Sequence, residues 1–465
     1  MIRMTLDEIA AITSGHLVNA DPAVTVTGSV EYDTRRLGPG ALFVAFAGER
    51  VDGHDFAEAA VAAGAVGVLG TRDTGRPGIV VDDPLKALAA LAAVVVRRLP
   101  ELTIVGLTGS SGKTTTKDYI GQLLERLGET VAPAGSLNNE LGFPYTVLKA
   151  TPETRFLVLE MGARGIGHIR HLAEVAAPRI GVVLNVGAAH IGEFGSVEGT
   201  AQAKGELVEA LGADGVAVLN ADDPLVAAMA ARTGARVVLV GESAAATVRA
   251  ADVTLDERGR AAYTLLTPAG SAPVRLAVTG RHQVGNTLAA AAVALEAGMT
   301  PAAVAAALGE AGIVSGRRMD VFDTAEGVTV IDDSYNANPS STAAALRALA
   351  ALGAGRRTTA VLGYMAELGA FETSGHEEVG RLAAELGVDR LIAVADNAAP
   401  ILDGAATVPA WQGEAVRAAD QAAAVAVLRG DLRPGDVVLV KGSRYRTWEV
   451  ADALRANAAQ QEVSP

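Results

Sequence analysis

A chain of 465 residues is too long for a single hydrophobic core, so two or three domains are expected. Half of the residues are apolar, one fifth are charged and only 4% are aromatic, the balance of a globular protein with cores of Ala, Val and Leu. A formal charge of −14 argues against nucleic-acid and anionic-membrane partners, and the lack of cysteine excludes disulfides, thiolate nucleophiles and Cys-ligated zinc.

The first eight residues place Asp7 and Glu8 where a secretory signal needs its apolar stretch. The longest apolar run, residues 87–96, is too short to span a bilayer, so a cytoplasmic protein without membrane insertion is expected. Up to residue 100, short strand-like runs such as 41–46 mix with Ala-rich helical patterns. From Thr103 the chain changes to strand-loop-helix units, with strands predicted over 103–107, 155–160, 180–185 and 215–219 and a helix over 114–127. A Gly/Ser/Arg segment at 312–318 interrupts this pattern. A second series follows, with strands predicted over 328–331, 359–362, 391–394 and 437–440. The predicted fold class is therefore α/β in three domains, 1–100, 101–313 and 314–465. The middle one is a P-loop-type, mostly parallel sheet, and the last is Rossmann-like.

The strongest motif, Thr108-Gly109-Ser110-Ser111-Gly112-Lys113-Thr114-Thr115, lies between a predicted strand and a predicted helix. Glycines let the backbone wrap close to phosphate, and the helix N-terminus adds the positive end of its dipole. Lys113 suits the β and γ phosphates, and the Thr114 hydroxyl suits Mg²⁺. Leu107 stands where the general P-loop has its first glycine, so a Gly/Ser-rich turn is the competing reading.

Other polar residues fall at strand ends, where open α/β sheets bind ligands. Glu160 ends one strand, His190 follows another, and Lys204 lies in a helical stretch, Ala201-Gln202-Ala203-Lys204-Gly205-Glu206. Spacing alone leaves each an ordinary alternative as a cap, a hydrogen-bonded histidine or a solvated lysine. His168 and His171 form an H-x-x-H without further ligand pattern and read as structural. In the second series Asp333 can accept from ribose hydroxyls, while Asn338-Pro339-Ser340 can equally be a helix cap. Arg317 and Arg318 can neutralise a phosphoryl group or solvate a linker.

Taken in order, these motifs resemble the Mur ligases almost from end to end. The T-G-x-x-G-K-T-T loop is the form that family uses, which accounts for Leu107. Asn138-Asn139-Glu140-Leu141-Gly142, Glu160-Met161-Gly162-Ala163, Asn185-Val186-Gly187 with His190, and Ala203-Lys204-Gly205-Glu206 match in sequence order. Asp333-Ser334-Tyr335-Asn336-Ala337-Asn338-Pro339 and Met365-Ala366-Glu367-Leu368-Gly369 resemble the members that add D-alanyl-D-alanine. Asp33-Thr34-Arg35 and the stretch from Gly48 to Phe56 resemble their UDP-sugar domain. Departures are Ser111 for a common Asn, Arg281 for a frequent acid, and Tyr364 for the usual Asp.

The resemblance implies an ATP-dependent amide ligase acting on UDP-N-acetylmuramoyl-tripeptide and D-alanyl-D-alanine through an acyl phosphate, with a monomer expected. ATP would be held by Thr108, Gly109, Ser110, Ser111, Gly112, Lys113, Thr114, Thr115, Asn286, Arg317 and Asp333. Two Mg²⁺ ions would be held by Thr114, Glu160, His190 and Lys204, the last carrying a CO₂-derived carbamate. Lys113, Lys204, His190 and Arg317 would be catalytic. Asp33, Thr34, Arg35, Gly53, His54, Asn138, Asn139, Tyr335 and Asn336 would contact the substrates. Alternatives are a P-loop phosphotransferase or NTPase that makes no amide bond, and a sister ligase that adds a single amino acid.

Overall fold

The structure, a computed structural model, describes residues 1–48, 51–187, 194–443 and 445–461. Three main sheets succeed one another along the chain. The first has five strands in the order His16–Val18, Gly78–Val80, Ala65–Gly70, Ala41–Val44, Val30–Glu31, all parallel except the first pair. A two-stranded ribbon, Met4–Thr5 with Thr25–Val26, accompanies it.

The central sheet has nine strands. Thr103–Thr108 lies between Phe156–Glu160 and Ile180–Val183, and parallel pairing continues through Val216–Asn220 and Arg236–Gly241 to Val248–Leu255. Ile104, Val105 and Leu107 are buried, as expected of parallel strands covered by helices on both faces. Beyond Val248–Leu255 the sheet turns antiparallel through Arg260–Thr267 and Gly270–Thr279. Alternate residues of that last strand are exposed and buried, because only one of its faces is covered.

The third sheet runs Asp320–Asp323, Thr329–Asp332, Val437–Lys441, Thr358–Leu362, Arg390–Val394, Glu414–Ala418, parallel except for its first pair. It has its own cores on its two faces. The first two units instead share one. Leu88, Leu91 and Val95 of the helix Pro84–Arg98 belong to the same apolar cluster as Phe143, Val147, Ile169 and Leu172 of the central unit. Tyr145 also donates a 2.7 Å hydrogen bond to the buried Glu31 carboxylate of the first unit.

The segment between the second and third units is strapped to the helix that follows the phosphate loop, Lys113–Leu124. Gln122 and the Gly312 backbone exchange two 3.0 Å hydrogen bonds. The Ser315 N–H donates to Asp118 at 2.9 Å, and the Ser315 hydroxyl accepts from Gly135 N–H at 2.9 Å. Arg317 and Met319, just beyond, hold left-handed backbone conformations at φ +60° and +55°.

Candidate functional site

The site grows from the C-terminal ends of the central parallel strands. Thr108 ends its strand and donates through its hydroxyl to Met161 O at 2.9 Å. The chain then loops over Gly109–Gly112 before the helix begins at Lys113. Gly112 sits at φ +78°, and a Cβ there would lie 2.5 Å from Asn286 Oδ1. This one glycine is required both by its backbone conformation and by the close approach of the Asn286 side chain. The loop is fixed from the neighbouring strand end: Asn185 Oδ1 accepts from Ser111 N–H at 2.9 Å, and Ser110 Oγ from Gly187 N–H at 2.8 Å.

Glu160, at the end of the adjacent strand, is buried beside the loop. Its carboxylate accepts from Thr114 Oγ1 at 2.9 Å on one oxygen, and from Ser136 Oγ at 2.9 Å and Asn138 Nδ2 at 2.7 Å on the other. Lys113 folds back, its ammonium donating to Gly109 O at 2.8 Å. Burial lowers its pKa from the ordinary lysine value, opposed by the Glu160 charge and assisted by Arg318. Lys204, on the helix Val197–Glu209, is also buried, and among the described residues no hydrogen bond or ion pair holds its ammonium. Burial first, and then the Lys113 charge, hold its pKa well below that of an ordinary lysine.

A cavity over the loop is walled on its other side by the third unit. Ser110–Thr115, Asn138, Glu160 and Asn286 face Arg318, Asp333, Tyr335, Asn336 and Lys441 across it. The buried Lys441 ammonium is paired with the Asp333 carboxylate and donates to Asn336 O at 2.9 Å. Asp333 also accepts from Met319 N–H at 3.1 Å. Arg318 reaches Thr114 Oγ1 at 3.3 Å, lies 4.1 Å over the Tyr335 ring, and keeps a buried Nε without a hydrogen-bond partner. A second cavity, behind the loop, is lined by Thr108, Gly109, Lys113, Asn138, Asn139, Arg164, His168 and Lys204 among others.

The structure thus gathers Ser110–Thr115, Glu160, Asn138, Asn286, Asp333, Tyr335 and Asn336 around one cavity, and Thr108, Gly109, Lys204 and Asn139 around its neighbour. Arg317 is placed differently. Its guanidinium pairs with Asp452 at 3.0 Å and with Trp448 O at 3.3 Å, and Arg318 lines the loop cavity in its stead. Asp33, Thr34, Arg35, Gly53 and His54 lie in the first unit, apart from both cavities. Asp33 caps the short helix Thr34–Arg36 and pairs with the exposed Arg35. The buried His54 ring is fully engaged, with Nδ1 2.6 Å from Asp52 and Nε2 accepting from Thr71 N–H at 2.8 Å, which leaves no ring nitrogen for a ligand. His190, Glu49 and Arg50 lie outside the described residues.

Lys441, Ser136 and Arg164, which spacing does not single out, also line these cavities, as does His168. Lys441 was detectable as a cation closing the apolar run 437–440, on the strand that pairs with the one leading to Asp333. No helix among the described residues is long and apolar enough to cross a membrane.

A phosphate loop with its lysine and hydroxyl, beside a buried strand-end glutamate and facing a further unit, is the arrangement of a nucleotide-binding α/β protein. Three family descriptions match in succession: "Mur ligase family, catalytic domain" over residues 27–95, "Mur ligase middle domain" over 107–294 and "Mur ligase, glutamate ligase domain" over 317–444. The chain belongs to the Mur ligase family. It is 49% identical over 510 aligned positions, covering all of both chains, to a Mycobacterium bovis protein named UDP-N-acetylmuramoyl-tripeptide--D-alanyl-D-alanine ligase. An Escherichia coli protein of that name is 38% identical over 98% of this chain and 99% of its own. Among solved structures, MurF from Acinetobacter baumannii superposes with a TM-score of 0.86 at 32% identity over 97% of this chain and 99% of its own. MurF from Thermotoga maritima in complex with ADP does so at 0.79 and 28%, over 94% of this chain and 99% of its own.

Proposed function

We propose that this chain joins D-alanyl-D-alanine to UDP-N-acetylmuramoyl-tripeptide, with ATP consumed, to give the UDP-muramoyl pentapeptide. The observation that carries the reading is the loop cavity, walled by Lys113, Thr114 and Glu160 on one side and by Arg318, Asp333 and Lys441 on the other. It occurs in a chain similar over its whole length to ligases so named. Residues 1–100 would bind the UDP-muramoyl peptide, 101–313 the ATP, and 314–465 would close over the nucleotide and receive the dipeptide. Such a reaction, drawing on ATP and a UDP-linked precursor, would run in the cytoplasm, and the chain would act as a monomer.

An oxygen of the tripeptide's terminal carboxylate attacks the γ-phosphorus, and ADP leaves with the bridging oxygen. The amine of the dipeptide then attacks the acyl carbonyl, phosphate departs, and the amine loses a proton. Two anions meet in the first step, and Lys113 with Arg318 offsets their repulsion where charge builds up. The unmatched Arg318 Nε–H is a donor suited to a phosphoryl oxygen, so we assign it the role expected of Arg317. Asp333 and Asn286 would hold the ribose and adenine.

The Thr114 hydroxyl and Glu160 carboxylate, 2.9 Å apart, are hard oxygen donors of the kind Mg²⁺ takes alongside phosphates and water. There Mg²⁺ would neutralise phosphate charge. Lys204 fits a carbamate: its buried amine, without a partner among the described residues, is held toward the neutral form that adds CO₂, and the product would be an anion beside the Lys113 cation. Its oxygens, with His190, would bind the second Mg²⁺.

The test is phosphate release from ATP and UDP-muramoyl tripeptide with and without D-alanyl-D-alanine, with products weighed by mass spectrometry. Dipeptide-dependent release with pentapeptide formed is expected. Release indifferent to the dipeptide would point to an uncoupled NTPase, and use of single amino acids to a sister ligase.

A further inference from the structure

Two cavities besides the loop cavity bear on where the acceptor amine comes from. One lies behind the phosphate loop, with Lys113 and Lys204 in its wall. The other lies between the central and third units, lined by Arg317, Tyr335, Asn336, Ala366, Glu367, Ser443 and Trp448. Arg164 lines both.

The loop that carries Arg164 is fastened at each end. On one side Met161 N–H donates to Leu107 O at 2.8 Å and Gly162 N–H to Asn138 O at 3.0 Å. Gly162 has no room for a side chain, since a Cβ would lie 2.9 Å from Asn138 O. On the other side the buried Glu206 carboxylate accepts from Gly167 N–H at 2.5 Å and Arg170 N–H at 3.1 Å. Glu206 stands two residues from Lys204 on one helix, so the anchor fixes the loop relative to the lysine.

Between these anchors Arg164 is exposed, and among the described residues no carboxylate pairs with it. Among the described residues the other guanidinium lining the interdomain cavity, Arg317, is already committed to Asp452 and to Trp448 O. An uncommitted guanidinium is therefore held where the interdomain cavity meets the cavity of Lys113. A planar cation in that position is matched by a carboxylate, which it can grip through two parallel hydrogen bonds.

We propose that Arg164 is the specificity-determining residue that holds the C-terminal carboxylate of the incoming dipeptide in the interdomain cavity. This rests on D-alanyl-D-alanine being the acceptor. With its carboxylate on Arg164, the dipeptide lies at the junction with its other end free to reach the acyl group beside Lys113. Arg164 forms no bond to the reacting atoms and acts by selecting a free acid over a neutral terminus.

The experiment compares D-alanyl-D-alanine with D-alanyl-D-alaninamide as acceptors for wild type, Arg164→Ala and Arg164→Lys, with pentapeptide product read by mass. Wild type should favour the acid. In Arg164→Ala the KM for the acid should rise about tenfold or more, as for loss of a charge-assisted pair, while the KM for the amide changes little. The acid-to-amide preference then collapses, Arg164→Lys restores part of it, and the KM values for ATP and the UDP-tripeptide stay near wild type. An unchanged preference in Arg164→Ala, in an enzyme that still makes pentapeptide, overturns the assignment of Arg164 alone. A rise in the KM for the UDP-tripeptide instead overturns it in favour of an acyl-side role. Wild type that makes no dipeptide-dependent product overturns the functional reading, and this one with it.

Discussion

Two lysines of the site have pKa values below the ordinary lysine value, with different expected consequences. Lys113 is held against Gly109 O, and burial depresses its pKa, so it is a donor awaiting an anion. Lys113→Ala should lower turnover by about 10³-fold or more, with the melting temperature near wild type, because its ammonium acts on charge that develops in the reaction. Wild-type-like rates measured by phosphate release would remove the phosphate-binding role. Lys204 is buried with its pKa pushed well down. Lys204→Ala should lose most activity and regain part of it with short carboxylates such as acetate, which can stand in for a carbamate. Full activity of that variant without any carboxylate would defeat the carbamate. Neither role can be read from spacing, since a helical lysine is most often solvated. What singles out Lys204 is its burial with no partner among the described residues, which only the fold reveals.

At the scale of elements, the apolar runs of the parallel strands are plain in the sequence. The strand predicted over 103–107 is Thr103–Thr108, and that over 437–440 is Val437–Lys441. The strands Val248–Leu255, Arg260–Thr267 and Gly270–Thr279 are not, because they are covered on one face only and interleave Arg, Thr and Ser with small apolar residues. The phosphate loop was legible because its glycines and lysine are contiguous. The choice between Arg317 and Arg318 was not, since it depends on the left-handed turn that sends the two side chains apart. Tyr364, where the family's usual acid is replaced, stacks on His376 at 5.3 Å and donates to Glu372 at 2.8 Å. The buried His376 Nε2 in turn accepts from Met365 N–H at 2.9 Å, pinning the start of the segment that brings Ala366 and Glu367 to the interdomain cavity.

Burial lowers the His376 pKa, opposed by the Glu372 carbonyl and charge. The unfolded chain therefore binds more protons than the native one between the folded pKa and the ordinary value of 6.5, and stability falls as pH drops through that window. His282, lowered by burial as well, adds to the same slope. His376→Gln should cost about 1 kcal/mol near neutral pH and flatten, without abolishing, the fall in melting temperature between about pH 7.5 and 5.5. An equally steep fall in the variant would exclude His376 as a source of it.

For the molecule as a whole, the arrangement of cores decides what moves. The first and central units share an apolar cluster and the Tyr145–Glu31 hydrogen bond, whereas the third unit has cores of its own. The covalent path between them is residues 312–319, which run between a strapped end and a steered end. The straps are the Gln122–Gly312 pair and the contacts of Ser315 with Asp118 and Gly135. The steering end is Arg318 on Thr114 and Tyr335, followed by Met319 on Asp333. Loosening the straps leaves every side chain proposed to contact ATP in place but lets the third unit settle less accurately over the loop. Misplacement of about 1 Å at a reacting centre can cost about 100-fold in rate. Gln122→Ala combined with Ser315→Ala should therefore lower kcat by about tenfold or more while the KM for the UDP-tripeptide stays near wild type, and steady-state kinetics with each substrate varied would measure both. A KM for the UDP-tripeptide that rises with kcat unchanged would mean that the straps support the first unit's substrate rather than the approach of the third. The two effects would then have to be sought at the Tyr145–Glu31 contact, where the first unit meets the second.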